Sequence, residues 1–299
     1  MPSLTDDPFL ILLNPGAYQA TRKDREQQLR KLLDQKGLQY EIQTFADLKD
    51  ATSKAATAAQ KFKLVVAAGG DGTVGAIARG LAGTDATLGI IPFGSGNDLA
   101  IGLNIPKEPL KAIDLLKNGT VKPLDGCRFN DDGFFVTSLG TCFDGRASYN
   151  ASQTVLFRGP LKYIAGVLRS IFNYRASEVT VEVNDETIKD RMLLVSFCNS
   201  PFEGGGIHLA PDASTSDGKV DLVMIRDVHF LYRIPLLLRV LLGDPRKVSK
   251  IVYRQASSVK LTTSRPEYAH ADGEVFTNEL RELNVRVDAA ALKVICGLE

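Results

Sequence analysis

Gly69-Gly70-Asp71-Gly72-Thr73 follows directly on the apolar run Leu64-Val65-Val66-Ala67-Ala68. An aliphatic strand that runs into glycines, a carboxylate and a hydroxyl can bring backbone amides close to phosphate. Glycine permits positive φ and leaves no Cβ in the way. Successive N–H groups ahead of a helix N-terminus form an anion-binding concavity. A carboxylate beside a phosphate repels it unless a metal ion lies between them, so Asp71 points to a nucleotide bound with Mg²⁺. A tight strand-to-helix turn would use the same residue types, but four special residues out of five after a buried strand weigh for phosphate. The pattern has neither the Gly-Lys-Ser/Thr of a P-loop nor the spaced glycines of a dinucleotide fold.

A second glycine loop, Gly94-Ser95-Gly96-Asn97-Asp98, follows the apolar run ending at Pro92. Helix capping by Asn97 or Asp98 explains it equally well in isolation. In an open α/β sheet, however, loops at the carboxyl ends of strands converge on one crevice, which favours a shared nucleotide site. Asp125 closes a third strand-like run, Val121–Gly126. Asp71, Asp98 and Asp125 together could hold a hydrated Mg²⁺, which takes a few carboxylates plus waters and substrate phosphates. Near the other end, Asp272-Gly273-Glu274 offers a base, Asp272 or Glu274, for the proton of an acceptor hydroxyl. Asp-Gly is also the commonest hairpin signal, and local sequence alone favours that reading.

The elements that must position these residues fall into two halves. Phe9–Leu13, Tyr40–Thr44, Leu64–Ala68 and Thr87–Pro92 read as strands. Between them lie helical stretches at about 22–35, 47–60 and 74–81, with Leu29, Leu32 and Leu33 turned inward. Continuous apolar strands alternating with helices predict a parallel α/β sheet. After Asp125 short alternating runs dominate, at Phe134–Leu139, Val179–Val183, Met192–Cys198, Val220–Ile225, Ser257–Thr262 and Leu283–Val287. They predict an antiparallel β-sandwich interrupted by helices near Gly159–Phe172 and Val228–Leu242. The expected division is a nucleotide-binding α/β domain over 1–127 and a β-sandwich domain over 128–299.

With 299 residues, 44% hydrophobic and 24% charged, the chain has the composition of a globular protein. A net charge of +1 gives no reason to expect nucleic acid. Cys127, Cys142, Cys198 and Cys296 are widely spaced, with neither zinc nor disulfide spacing. Met1–Pro8 lacks the basic start and apolar core of a signal peptide. No apolar run reaches spanning length, since Phe230–Leu242 is broken by Arg233, Pro235 and Arg239. A cytoplasmic protein, peripheral at the inner face of the membrane, is the resulting expectation.

Taken together, these residues resemble the catalytic superfamily of diacylglycerol kinases, specifically its small bacterial lipid kinases, and also sphingosine and ceramide kinases. The likeness runs through Asn14-Pro15, Gly69–Thr73, Leu88–Ala100, Asn199 with Gly204-Gly205-Gly206, Ala210-Pro211-Asp212-Ala213, Asp217-Gly218 and Asp272-Gly273-Glu274. It implies an ATP- and Mg²⁺-dependent kinase acting on a lipid hydroxyl, diacylglycerol first. The implied architecture is an α/β domain and a β-sandwich flanking the ATP cleft, with the last strand returning to the first domain. It also implies that Asn14 and Gly69–Thr73 hold the nucleotide phosphates and that Gly94, Ser95, Gly96 and Asn97 line the nucleotide pocket. Asp71, Asp98 and Asp125 would form a water-mediated metal network, Asp272 the base, and Glu274 a support for it or for the metal. Asp217 is a weaker, structural metal candidate. Here Gly16-Ala17-Tyr18 stands where the family carries a serine and glycine, Ser95 replaces a threonine, and Ser216 replaces an acid.

A lipid kinase takes its acceptor from a bilayer, so transient membrane contact is expected. Phe230–Leu242, in which Arg233 and Arg239 would meet anionic lipid, is one candidate interfacial helix and Gly159–Phe172 is a second. Apolar stripes at helical spacing are more often core. A homodimer is compatible with the sequence. The competing functions are an NAD kinase, which shares the Gly-Gly-Asp-Gly-Thr motif, and a nucleotide-binding regulator without turnover.

Overall fold

A computed structural model describes residues 4–16, 22–153, 167, 169–171 and 173–297. The expected helix at Gly159–Phe172 lies largely outside the described residues, as do Ala17 and Tyr18. The chain divides into two compact units, Met1–Leu124 with Ala290–Glu299, and Asp125–Ala289.

In the first unit, β1 (Phe9–Leu13), β3 (Leu64–Gly69) and β4 (Thr87–Pro92) are buried at every position. β2 (Tyr40–Thr44) alternates between half-buried and exposed positions, as an edge strand does. β1 pairs in parallel with β2 and β3, and β3 with β4. The end of the last strand, β13 (Glu274–Cys296), adds to β4 in parallel through Lys293 and Val294. The core joins Phe9, Ile11, Leu64 and Val66 of the sheet to Leu29 and Leu33 of α1 (Arg22–Gln35) and to Ile113 and Leu116 of α5 (Pro109–Asn118).

α2 (Leu48–Ala58) opens on Asp47, whose side chain accepts from the Asp50 amide at 2.8 Å. It lies against α3 (Asp71–Leu81) through small residues on both sides. A Cβ on Gly80 would fall on the Thr52 carbonyl oxygen and 2.8 Å from the Ala55 Cβ. The Thr52 hydroxyl donates to the Ala76 carbonyl at 2.9 Å.

The second unit is β-rich. Along its sheet the order is β11 (Ile251–Ala256), β10 (Val220–Arg226), β9 (Glu186–Cys198), β7 (Ser138–Cys142), β12 (Ser258–Ala271) and β13, all antiparallel. β8 (Ser177–Val183) pairs with both β9 and β12 and alternates buried with exposed positions. β5 (Thr120–Phe129) and β6 (Gly133–Phe135) form a hairpin. Phe135, Val181, Phe197, Leu222, Leu261 and Leu283 anchor the core.

Four points differ from expectation. Phe134–Leu139 is not one strand but breaks between β6 and β7. Asp125 sits within β5 rather than at a strand end. An unanticipated helix, α6 (Phe143–Ser152), follows β7 directly. The helix expected from Val228 begins at Phe230 and is α7 (Phe230–Leu242).

Because Gly80 lies where two helix backbones touch, overpacking there has no flexible neighbour to absorb it. Gly80→Val should destabilise the protein by about 1–3 kcal/mol, read as a lowered midpoint in urea denaturation. A midpoint equal to wild type would contradict the close crossing.

Candidate functional site

Asp71 joins the two glycine loops of the first unit. Its Oδ2 accepts the Asn97 amide at 2.8 Å and its Oδ1 the Asp98 amide at 2.7 Å. Those amides open α4 (Asp98–Gly102), so one carboxylate both caps α4 and ties its loop to α3. Asn97 is left-handed, with φ 59° and ψ 43°. Its amide group folds back on Gly94, accepting from the Gly94 N–H and donating to the Gly94 carbonyl, both at 2.8 Å.

The glycines serve proximity more than positive φ. Gly70 sits at φ −98°, and neither Gly69 nor Gly72 is among the positive-φ glycines. A Cβ on Gly94 would lie 2.5 Å from the Gly70 Cα, and one on Gly69 would lie 2.6 Å from the Thr73 hydroxyl oxygen. That buried hydroxyl accepts from Asn14 Nδ2 at 2.7 Å, which brings the end of β1 to the same place. Asn14, Gly69–Thr73, Gly94, Asn97 and Asp98 therefore form one connected set, with Ser95 exposed at its edge.

In the second unit, Asp272 and Gly273 have φ 48° and 82° and turn β12 into β13. The turn is a hairpin and also carries a buried carboxylate, since Asp272 is 6% exposed. Asp272 Oδ1 accepts the Thr137 amide at 2.8 Å and the Ser138 amide at 3.3 Å, and Oδ2 the Val136 amide at 3.2 Å. Burial pushes the carboxyl up, the three amides pull it down, and burial prevails, to about 6. Glu274 is exposed at the start of β13.

Asp125 is buried and its Oδ2 accepts the Gly218 amide at 2.7 Å. Asn199 Nδ2 donates to the carbonyls of Asp125 and Val136 at 2.9 and 2.8 Å. Asn199 Oδ1 and the Ser200 hydroxyl are buried there without a partner. Exposed Asp217 accepts from the Lys219 amide and from Gln255 Nε2, both at 3.0 Å. Hard oxygens of this kind suit magnesium. Asp71 and Asp98 supply them on the first unit, Asp125 and Asp217 on the second.

Among the described residues, the three acid and histidine side chains drawn tightly together are Asp144, Glu203 and His270, which no sequence motif marked. His270 Nε2 lies 2.8 Å from Asp144 Oδ2 and 3.7 Å from Glu203 Oε1. Glu203 also receives the hydroxyls of Ser138 at 3.0 Å and Ser196 at 2.6 Å. Burial and the Asp144 charge push the Glu203 carboxyl up. Burial opposes a charged His270, but the Asp144 charge and hydrogen bond, with Glu203, outweigh it and raise the imidazole. A recognisable signal was Glu203 directly before three glycines, all left-handed; Asp144 and His270 carried none.

Asp144 and Glu203 line a cavity enclosing about 720 Å³ of atom-free space, part of it open to solvent. Its other walls are apolar apart from Arg233, and include Phe143, Leu193, Ile225 and, from α7, Leu236 and Val240. Arg233 corrects an expectation. It is buried, donating to the Ile171 and Tyr174 carbonyls at 2.9 and 2.6 Å, so it braces α7 and does not face outward. The exposed side of α7 is instead largely apolar, with Leu231 at 65% and Leu242 at 83% beside the exposed Arg239. No helix among the described residues is long and apolar enough to cross a membrane.

Residues 8–129 match the diacylglycerol kinase catalytic domain. Residues 137–296 match the YegS C-terminal NAD kinase beta sandwich-like domain. A diacylglycerol kinase of Bacillus subtilis (strain 168) is 32% identical over 289 residues, spanning 92% of this chain and 94% of its own. One from Mycobacterium tuberculosis (strain ATCC 25618 / H37Rv) is 33% identical over 57% of both chains. A crystal structure described as a diacylglycerol kinase from Bacillus anthracis str. Sterne shares the fold, with TM-score 0.78 at 22% identity over 97% of each chain. Yeast NADH kinase complexed with NADH is more distant, with TM-score 0.53 at 9% identity over 97% of this chain and 84% of its own. With an identity of 32% sustained over nearly the whole chain, and both family domains present in order, the chain belongs to the diacylglycerol kinase family of lipid kinases.

Proposed function

We propose that this chain is an ATP-dependent, Mg²⁺-requiring kinase that transfers the γ-phosphate of ATP to a lipid hydroxyl, most directly that of diacylglycerol, giving phosphatidic acid. The observation that carries the reading is Asp272, a buried carboxylate whose affinity for protons is raised to about 6. A base poised just below neutral pH is ionised in the cell and still able to take a proton. The first domain, 1–127, holds the nucleotide through Asn14, Gly69–Thr73, Gly94, Ser95, Gly96 and Asn97. The second, 128–299 with the end of its last strand returning to the first, is the β-sandwich that takes the lipid, its acyl chains in the largely apolar cavity.

In the transfer, the acceptor oxygen bonds to the γ-phosphorus, the bond to the β,γ-bridging oxygen breaks, and ADP leaves with that electron pair. Asp272 receives the hydroxyl proton, with exposed Glu274 supporting it or the metal. Asp71, Asp98 and Asp125 would hold hydrated magnesium, with Asp217 at a separate structural site. When bound, the ion neutralises phosphate charge. The Asp71 clamp supports this role, because each oxygen accepts a single amide and keeps a lone pair that would serve the ion or its waters. Apolar cavity walls favour a lipid over NAD.

The acceptor reaches the cavity from a bilayer surface. α7 supports this, since Leu236 and Val240 line the cavity while Phe230, Leu231, Tyr232 and Leu242 stand exposed on the same helix. Exposed Arg239, Lys247 and Lys250 add charge suited to anionic lipid.

Incubation with labelled ATP, Mg²⁺ and a panel of dispersed lipids, then NAD, tests the reading. Label is expected in diacylglycerol or another lipid alcohol; label in NAD alone would refute it. Because the base must be deprotonated, log(kcat/KM) should fall by about one per pH unit below about 6, and a profile flat down to pH 5 would remove Asp272 from that role. Leu231→Glu with Leu242→Glu changes only exposed positions and should leave the melting temperature near wild type. Its partitioning onto anionic vesicles should drop at least about tenfold, and unchanged partitioning would refute docking through α7.

A further inference from the structure

Arg233 is an unusual group to find in the wall of a largely apolar cavity. Its side chain is 8% exposed and lines the cavity with Leu236, Leu237 and Val240, which helical spacing places on one stripe of α7. The guanidinium is held at both outer nitrogens. Nη1 donates to the Ile171 and Tyr174 carbonyls at 2.9 and 2.6 Å, and Nη2 meets Asp227 Oδ1 at 3.5 Å. A planar fork fixed at two corners cannot turn its third nitrogen away. That nitrogen, Nε, is buried with no acceptor. Bracing α7 occupies the two Nη groups and leaves Nε–H unused. Asp144 and Glu203, the other polar residues of the wall, are already engaged with His270 and with the Ser138 and Ser196 hydroxyls. Among the described residues lining the cavity, Arg233 Nε–H is therefore the donor left over. A buried donor without an acceptor is destabilising, and a ligand acceptor would remove that cost.

We propose that Arg233 Nε–H reads the carbonyl of one ester-linked acyl chain, so that the cavity distinguishes acyl esters from alkyl ethers of the same length. The proposal rests on the lipid-kinase reading and leaves the free hydroxyl to Asp272. Charge decides the kind of acceptor. Asp227 balances Arg233, and exposed Arg191 shares Asp227 from the solvent side. Elsewhere in the wall Asp144 is paired with His270, so no spare cation waits there. A carboxylate or phosphate would enter this low-dielectric site as an uncompensated charge. A carbonyl brings lone pairs and no charge. The order of groups along α7 fits as well. Arg233 stands at one end of the stripe and the lining residues that follow it are apolar, as methylenes follow the carbonyl of an acyl chain. An ether keeps the chain and removes the carbonyl, so Nε–H would stay unpaired. Sites built to hydrogen-bond a substrate group discriminate strongly against analogues that lack it. Arg233 is a specificity residue and takes no part in the transfer itself.

Equilibrium binding without nucleotide tests this, using four lipids of equal chain length dispersed in one detergent: 1,2-dioctanoylglycerol, its two monoethers and the diether. All four keep the free hydroxyl. A single carbonyl contact predicts an uneven series in the wild-type protein. One monoether should bind like the diester, while the other and the diether should bind at least about tenfold more weakly. Losses shared evenly between the two ester positions would overturn the proposal, as would a diether bound within about twofold of the diester. Neither outcome depends on a variant. Arg233→Lys puts a methylene where Nε stands and keeps a cation for the Ile171 and Tyr174 carbonyls. In it the diester and diether should bind within about threefold of each other, with ATP binding unchanged. Comparing that ratio between the two proteins cancels any difference in how esters and ethers enter the detergent. An arginine that only braces α7 would lower the melting temperature and weaken all four lipids alike in Arg233→Lys, which would also overturn the proposal. Phosphate transfer to diester and diether with equal kcat/KM would refute the carbonyl contact and leave the kinase reading standing. The uneven binding series with no transfer to any lipid would do the reverse.

Discussion

Burial of the Asp272 carboxylate is the constraint around which the second unit is arranged. A buried carboxylate must be met by donors or lose its charge, and three consecutive amides, Val136 to Ser138, meet this one. Amides aimed at a side chain cannot also serve a sheet ladder. This is why the apolar run Phe134–Leu139 divides into β6 and β7 instead of running through as one strand. The exchange is reciprocal, because the Asp272 amide donates back to the Ser138 carbonyl. The same arrangement holds the carboxyl between two opposing influences, burial and amide donation, and leaves it with a raised proton affinity suited to a base.

Asp71 solves the corresponding problem in the first unit differently. Its carboxylate stays partly accessible and engages the two amides that open α4, so charge and helix dipole satisfy each other. Loop contact then dictates the glycines. Gly70 and Gly94 meet backbone to backbone, and no side chain fits between them. A phosphate-binding surface made of closely packed loops needs this proximity before it needs unusual φ angles.

Much of this was legible in the residues themselves. β1, β3 and β4 lie within a residue of the apolar runs that announced them, and Asp272-Gly273 turns as a hairpin should. What escaped notice depends on long-range packing. The Asp144–His270 contact spans 126 residues, and neither residue sits in a motif. α6 follows β7 with no capping signal, since its entry is a strained Cys142 in place of a Ser, Thr, Asp or Asn cap. Arg233 looks like a surface cation on α7, yet it is buried by two carbonyls that belong to residues about sixty positions earlier. Helical periodicity places such a residue on a face; only tertiary structure says what covers that face.

The most direct measurement is single-turnover transfer of γ-labelled phosphate from pre-bound ATP and Mg²⁺ to dispersed diacylglycerol, in wild type and Asp272→Asn, with ATP affinity determined on the same preparations. The account predicts equal ATP affinity and transfer slowed about 10²–10⁴-fold in the variant, the usual range for loss of a positioned base. Transfer at the wild-type rate by a folded Asp272→Asn protein would contradict it.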